Sequence, residues 1–256
     1  MPRKANQLIF ALLLLSTFVI AQQPADDTVK AMQNLEKYRE TLIPLWMSDF
    51  GNLARYRDAN AKLAMLSANE NRVVFMGDSI TDIWNLAKYF PGRPYLDRGI
   101  GGQTTPQMLI RFRADVIGLD PKVVVILAGT NDIAGNTGPM SLDEIEANLK
   151  TMTELAHIHG IRVVLSSVTP VNGYTERSKL FFPLRSPEKI LELNRWMKDY
   201  CVRNDCIYLD YFTAMVDDKG LLKSDLAEDG LHPNDRGYAI MAPLAQKAIE
   251  QALAAH

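Results

Sequence analysis

The stretch RVVFMGDSIT, residues 72–81, decides the fold. Val73–Met76 is apolar without alternation, which is the pattern of a strand covered on both faces. Gly77, Asp78 and Ser79 then bring turn and helix-cap chemistry straight after it. The same device recurs along the chain. PYLDRGI (94–100), KVVVILAG (122–129), RVVLSSV (162–168) and CIYLDYF (206–212) read as further buried strands. Amphipathic stretches at 81–89, 104–117, 141–159, 187–203 and about 234–253 read as the helices between and after them. Ser141 with Glu144 forms a capping box, and Gly160 closes that helix. Strand–helix alternation of this kind predicts an α/β fold, a five-stranded parallel sheet between two helical layers.

Working outward from the sheet, residues 22–71 are expected to be a helical segment packing on the main domain at 72–256. Met32, Leu35, Tyr38 and Leu42 share a helical spacing, and Pro44 is expected to break the helix into two pieces. At the start, Arg3 and Lys4 precede a 13-residue apolar run, Leu8 to Ile20. That run is short of the roughly 20 residues a membrane span needs. It is followed by small-residue cleavage chemistry at Ala21, so residues 1–21 read as a signal peptide and the protein as exported to the periplasm or medium. Stable membrane insertion is not expected after its removal. The formal net charge of −2 shows no basic excess for nucleic acid. Cys201 and Cys206 have two readings, a disulfide or two partly buried thiols, and their spacing does not choose between them.

The chemistry is expected at the carboxyl ends of the strands, where open α/β sheets bind their ligands. GDSIT places Ser79 there, although Gly-Asp-Ser is also a common turn. RGIGGQTT, residues 98–105, has no Lys after its glycines and fits neither nucleotide fingerprint. Its Gly102 instead offers a bare backbone N–H to a negative oxygen. AGTNDIAGN, residues 128–136, is rich in turn formers, and its Asn131 can present a side-chain amide. With strand order 2-1-3-4-5, the loops bearing Gly102 and Asn131 flank Ser79.

A serine hydroxyl needs a base. Of the four histidines, His157 and His159 end a helix away from this site and His256 is the last residue, which leaves His232 in AEDGLHPNDRG, residues 227–237. Its loop starts three strand spacings from Ser79, about 14 Å at roughly 4.8 Å each, and the residues after Phe212 are enough to cross that gap. Asp229, three residues earlier, is placed to accept from the imidazole and fix its tautomer. The long connection 170–189 carries Tyr174, Phe181, Phe182 and Arg185 as substrate-pocket candidates; packing of its aromatics onto the sheet is the competing explanation.

The blocks GDSIT, RGIGGQTT, GTND and DGLHP, in this order over residues 72–250, resemble the SGNH/GDSL hydrolases, in particular bacterial lysophospholipase- and platelet-activating-factor-acetylhydrolase-like members. The resemblance implies a flavodoxin-like three-layer sandwich, Ser79 as nucleophile, His232 as base and Asp229 as its orienting acid. It further implies the N–H of Ser79, the N–H of Gly102 and the side chain of Asn131 as oxyanion donors. Asp97 departs from the Asn that this group often carries before Arg-Gly-Ile. No G-x-S-x-G elbow is present. The expected activity is hydrolysis of carboxylic esters of a small molecule or glycan through an acyl-serine, with short, acetyl-like acyl groups and no metal or cofactor. An O-acyltransferase, a non-catalytic glycan-binding module and a nucleotide-binding protein of the same fold are the rival readings; the Ser79/Asp229/His232 set argues against the second, and the missing Lys after the 98–105 glycines against the third.

Overall fold

The computed structural model describes residues 22–63 and 71–254, so the expected signal peptide, residues 64–66 of the anticipated helix and His256 lie outside the described residues. The chain forms α1 (Gln22–Asp49), α2 (Ala54–Lys62), β1 (Val73–Gly77), α3 (Ser79–Asp82), α4 (Leu86–Tyr89), β2 (Tyr95–Gly99) and α5 (Thr105–Asp115). It continues through β3 (Val123–Leu127), α6 (Thr130–Ile133), α7 (Leu142–Ile158), β4 (Arg162–Ser166), α8 (Pro187–Arg203), β5 (Ile207–Leu209), α9 (Phe212–Met215) and α10 (Asp235–Ala254). The five strands make one sheet of order β2-β1-β3-β4-β5, every pair parallel.

Side chains alternate along a strand, so each strand feeds two cores. Val74 and Met76 of β1 pack with Val124 and Ile126 of β3 beneath Phe112 of α5, Leu149 of α7 and Leu193 of α8. Val73 and Phe75 face the opposite layer, where Met241, Ala245 and Ile249 of α10 cover the sheet. The result is an α/β/α sandwich. Its cores are tightly filled: truncating a fully buried residue such as Phe112 would cost about 3–5 kcal/mol. The Ser141–Glu144 box opens α7 with both reciprocal bonds formed, and Gly160 at φ +70° lies just past its end.

Two expectations are corrected. Pro44 does not break the first helix, since α1 runs through it to Asp49. Proline forfeits one N–H donor, and at this exposed position water can serve the carbonyl left without it. The break falls at Gly51–Asn52, where Asn52 turns left-handed at φ +54° and the Asp49 carboxylate accepts from the N–H groups of Leu53 and Ala54, both at 2.9 Å. The helix anticipated over 81–89 is two single turns instead. Trp84 swings inward to stack on Tyr238, and Asn85 accepts from Lys88 N–H to cap the second turn. Cys201 and Cys206 are joined in a disulfide with Cα atoms 4.6 Å apart, tying the end of α8 to the start of β5.

Candidate active site

The turn after β1 is shaped by close packing. A methyl on Gly77 would lie 2.9 Å from the Leu127 carbonyl and overlap the Thr81 hydroxyl. Asp78 caps α3 by accepting from Ile80 N–H at 2.9 Å. Ser79 is therefore the first residue of a helical turn, where the backbone N–H has no partner within the helix. Its Oγ lies 2.9 Å from Nε2 of His232, and Nδ1 of His232 lies 2.7 Å from Oδ2 of Asp229. The other oxygen of Asp229 accepts from the N–H groups of Leu231 at 3.1 Å and His232 at 2.8 Å, a local turn that Gly230, at φ +77°, permits. Burial raises the pKa of Asp229, but the bonds from His232 and Leu231 outweigh it and hold the carboxyl below the ordinary carboxylate range. An ionised Asp229 can only accept, so Nδ1 carries the proton and the Nε2 lone pair faces the serine.

The loops on either side of β1 close on the same point. Gly102 adopts φ +76°, and its carbonyl is held by Asn136 Nδ2 at 2.9 Å. Asn131, buried at the start of α6, donates from Nδ2 to the Gln103 carbonyl at 3.1 Å. Its Oδ1 accepts from the Arg185 guanidinium at 2.9 Å. With its oxygen held there, the amide turns its NH2 toward Gln103 and the cleft, leaving one N–H uncommitted. Ser79, Gly102, Asn131 and His232 line one cleft of about 490 Å³.

The profile of the GDSL-like Lipase/Acylhydrolase family matches residues 75–240, more than half of the 256-residue chain and the part that carries all of these residues. The chain belongs to that family. Two solved structures agree with it: a candidate acylhydrolase from Bacteroides fragilis (41% identity, 80% of this chain and 99% of that one, TM-score 0.75) and a GDSL-like lipase from Bacteroides thetaiotaomicron (41%, 79% and 99%, 0.73). A Bacillus subtilis protein named as an uncharacterized lipoprotein is 28% identical over 168 residues, 57% of this chain and 69% of that protein. The GDSL-family chain is accordingly a carboxylic ester hydrolase, with the five-stranded sheet of that family.

In this GDSL-family site the fold brings Ser79, Asp229 and His232 into one hydrogen-bonded line, with Gly102 and Asn131 beside them. Of the pocket candidates from the 170–189 connection, Phe181 and Arg185 line the cleft. Tyr174 and Phe182 do not, which corrects the expectation for both. The Tyr174 hydroxyl donates to the Ala227 carbonyl, and the Phe182 ring packs under Gly173 and against the core. A short turn can aim only some of its aromatics outward, and these two are taken up in holding the turn down. His157 and His159 sit at the far end of α7, as anticipated.

Several roles in the site are not legible in the sequence. Leu35 and Tyr38 of α1 form part of the cleft wall; their helical spacing is visible, but nothing in it tells which surface they meet. Arg185 does more than line the cleft, since it also donates to Thr130 Oγ1 at 3.2 Å and the Phe181 carbonyl at 3.2 Å. Its pKa is lowered to about 10 by burial, with Asp78 and Asp229 opposing, so it stays charged. Arg111 of α5, fully buried, donates to the carbonyls of Gly77 at 3.0 Å and Arg98 at 2.8 Å. It thereby locks the strand ends that carry Ser79 and Gly102. Asp78, fully buried near His232 and Arg185, has its pKa raised to about 6 by burial, against the Ile80 N–H and the Arg185 charge.

Proposed function

We propose that this protein is an exported serine esterase that cleaves carboxylic esters of short acyl groups through an acyl-serine at Ser79. The observation that carries the reading is the line Ser79 Oγ–His232–Asp229 at 2.9 and 2.7 Å. In the first step Ser79 Oγ attacks the ester carbonyl while Nε2 of His232 takes its proton. The oxyanion faces the N–H of Ser79, the N–H of Gly102 and the free amide N–H of Asn131. The alcohol leaves with the proton from His232. Water, deprotonated by the same Nε2, then attacks the acyl-serine; the acid leaves as Ser79 Oγ takes that proton back from His232. Asp229 keeps the proton on Nδ1 throughout.

A cleft of about 490 Å³ lies toward the small end of ligand sites and must hold both sides of the ester, which favours a short acyl group over a long lipid chain. Export is supported by Arg3 and Lys4 ahead of the Leu8–Ile20 run and by the Cys201–Cys206 disulfide. Among the described residues no helix is long and apolar enough to cross a membrane. The lipoprotein name of the Bacillus subtilis relative fits the same side of the membrane, although no Cys follows the apolar run here to carry a lipid.

The test is turnover of p-nitrophenyl acetate, butyrate and octanoate by the purified protein and its Ser79→Ala variant. Hydrolysis that falls with chain length and vanishes in the variant is the expected result. Full activity in Ser79→Ala would overturn the mechanism, and a maximum at octanoate would overturn the short-acyl assignment.

A further inference from the structure

Helix α1 lies outside residues 75–240, the part matched to the family, yet it reaches the cleft. It is pinned there by Arg39. Nε of Arg39 donates to the Asn136 carbonyl at 3.2 Å, and Nη2 donates to the Gly135 carbonyl. The side chain of that same Asn136 holds the Gly102 carbonyl at 2.9 Å. Two bonds in series therefore couple the position of α1 to the backbone of the residue proposed to face the oxyanion.

One residue before Arg39, Tyr38 turns its ring into the cleft. A methyl placed on Gly102 would overlap the Tyr38 hydroxyl oxygen, so the phenol occupies the space directly over the Gly102 backbone. Tyr38 as a whole is 37% exposed, and its hydroxyl has no hydrogen-bond partner among the described residues. Here it sits beside a candidate oxyanion donor. Burial raises the Tyr38 pKa, opposed by the charge of Arg185, so the group is a neutral donor at working pH.

We propose that the Tyr38 hydroxyl contacts the substrate, donating a hydrogen bond to an oxygen of the ester held beside Gly102. Helix α1 is then a working part of the active site. The proposal rests on the placement of the ester between Ser79 and Gly102. A neutral hydrogen bond of this type is worth about 0.5–1.5 kcal/mol net, or about two- to twelvefold.

The experiment compares kcat and KM of wild type, Tyr38→Phe and Ser79→Ala on p-nitrophenyl acetate and butyrate, with thermal unfolding of each protein. Phenylalanine keeps the ring and removes only the hydroxyl. The expected result is a five- to tenfold fall in kcat/KM for Tyr38→Phe on both esters with the melting temperature unchanged. Wild-type kcat/KM in Tyr38→Phe, with Ser79→Ala inactive, would overturn the Tyr38 contact and leave the serine mechanism standing. A fall accompanied by a matching loss of thermal stability would also overturn it, because the hydroxyl would then be serving the fold. Activity retained in Ser79→Ala would overturn the serine mechanism, whatever Tyr38→Phe does.

Discussion

Arg185 and Asn131 form the most exacting test of the proposed oxyanion site. The guanidinium is buried to 4% exposure and donates at 2.9 Å to the amide oxygen of Asn131. Replacing it in Arg185→Met keeps an apolar stem but leaves that oxygen without its charged donor. Such a bond is worth about 1.5–3 kcal/mol. The freed amide can rotate, and in the rotated form it would offer an acceptor where the oxyanion needs a donor. At 1.36 kcal/mol per tenfold, kcat should fall about 10- to 150-fold. Asn131→Ala, which removes the donor itself, should lower kcat by about 10²–10³ with a modest change in KM. If Arg185 acts through Asn131, the double variant should be no slower than Asn131→Ala within about threefold, a coupling of about 1.5–3 kcal/mol. Arg185→Lys keeps the charge without the planar fork and should resemble Arg185→Met. The assay is steady-state turnover of p-nitrophenyl acetate, with circular dichroism and melting temperature confirming that each variant is folded. Additive losses in the double variant would refute the reasoning. Arg185 would then act by balancing Asp78 and Asp229, the two carboxylates whose charges it feels.

Three other outcomes follow from the same geometry. Asp229→Asn should cost about 10⁴ in kcat, because an amide donating to Nδ1 forces the proton onto Nε2 and removes the lone pair facing Ser79; a loss below tenfold in the purified variant would argue against that role. Burial, with Asp82 nearby, pushes the Asp97 carboxyl up to about 7, against the Gly99 N–H, Arg98 and Arg111. The unfolded carboxyl loses its proton near pH ~4, so the stability that Asp97 contributes is full below that and is lost as pH rises through about 7. Asp97→Asn keeps the acceptor for Gly99 N–H and should raise the melting temperature clearly more at pH 8.5 than at pH 5; equal shifts at both values would contradict this. Replacing Cys201 and Cys206 by Ser opens a five-residue separation and should lower unfolding free energy by about 2 kcal/mol, read from urea denaturation. Turnover should be unchanged, since the pair lies at the opposite end of the strands from Ser79.

The apolar runs at 72–76 and 122–129 are legible as strands on their own, because a strand buried on both faces must be apolar at every position whatever packs on it. For the same reason the Ser141–Glu144 box and the Asp229–His232 turn can be read directly: each is a contact between residues three apart, written in one short segment. Strand order then follows from few alternatives, and it brings Gly102, Ser79 and Asn131 together from separate loops. What stays hidden depends on the partner met across the fold. Nothing near Pro44 says that water can satisfy the carbonyl its ring leaves free, or that the helix will end at Asp49, just before the turn at Asn52. Tyr174, Phe181 and Phe182 are alike in composition, and only the packed turn decides that Phe181 faces the cleft while its neighbours hold the loop down. Arg39 meets Asn136 across 97 positions, and Arg185 meets Asn131 across 54. Periodicity records that a side chain will be buried, because burial needs only an apolar face. Which atoms it then touches is set by the close packing of segments far apart in the chain, and so by the tertiary structure alone.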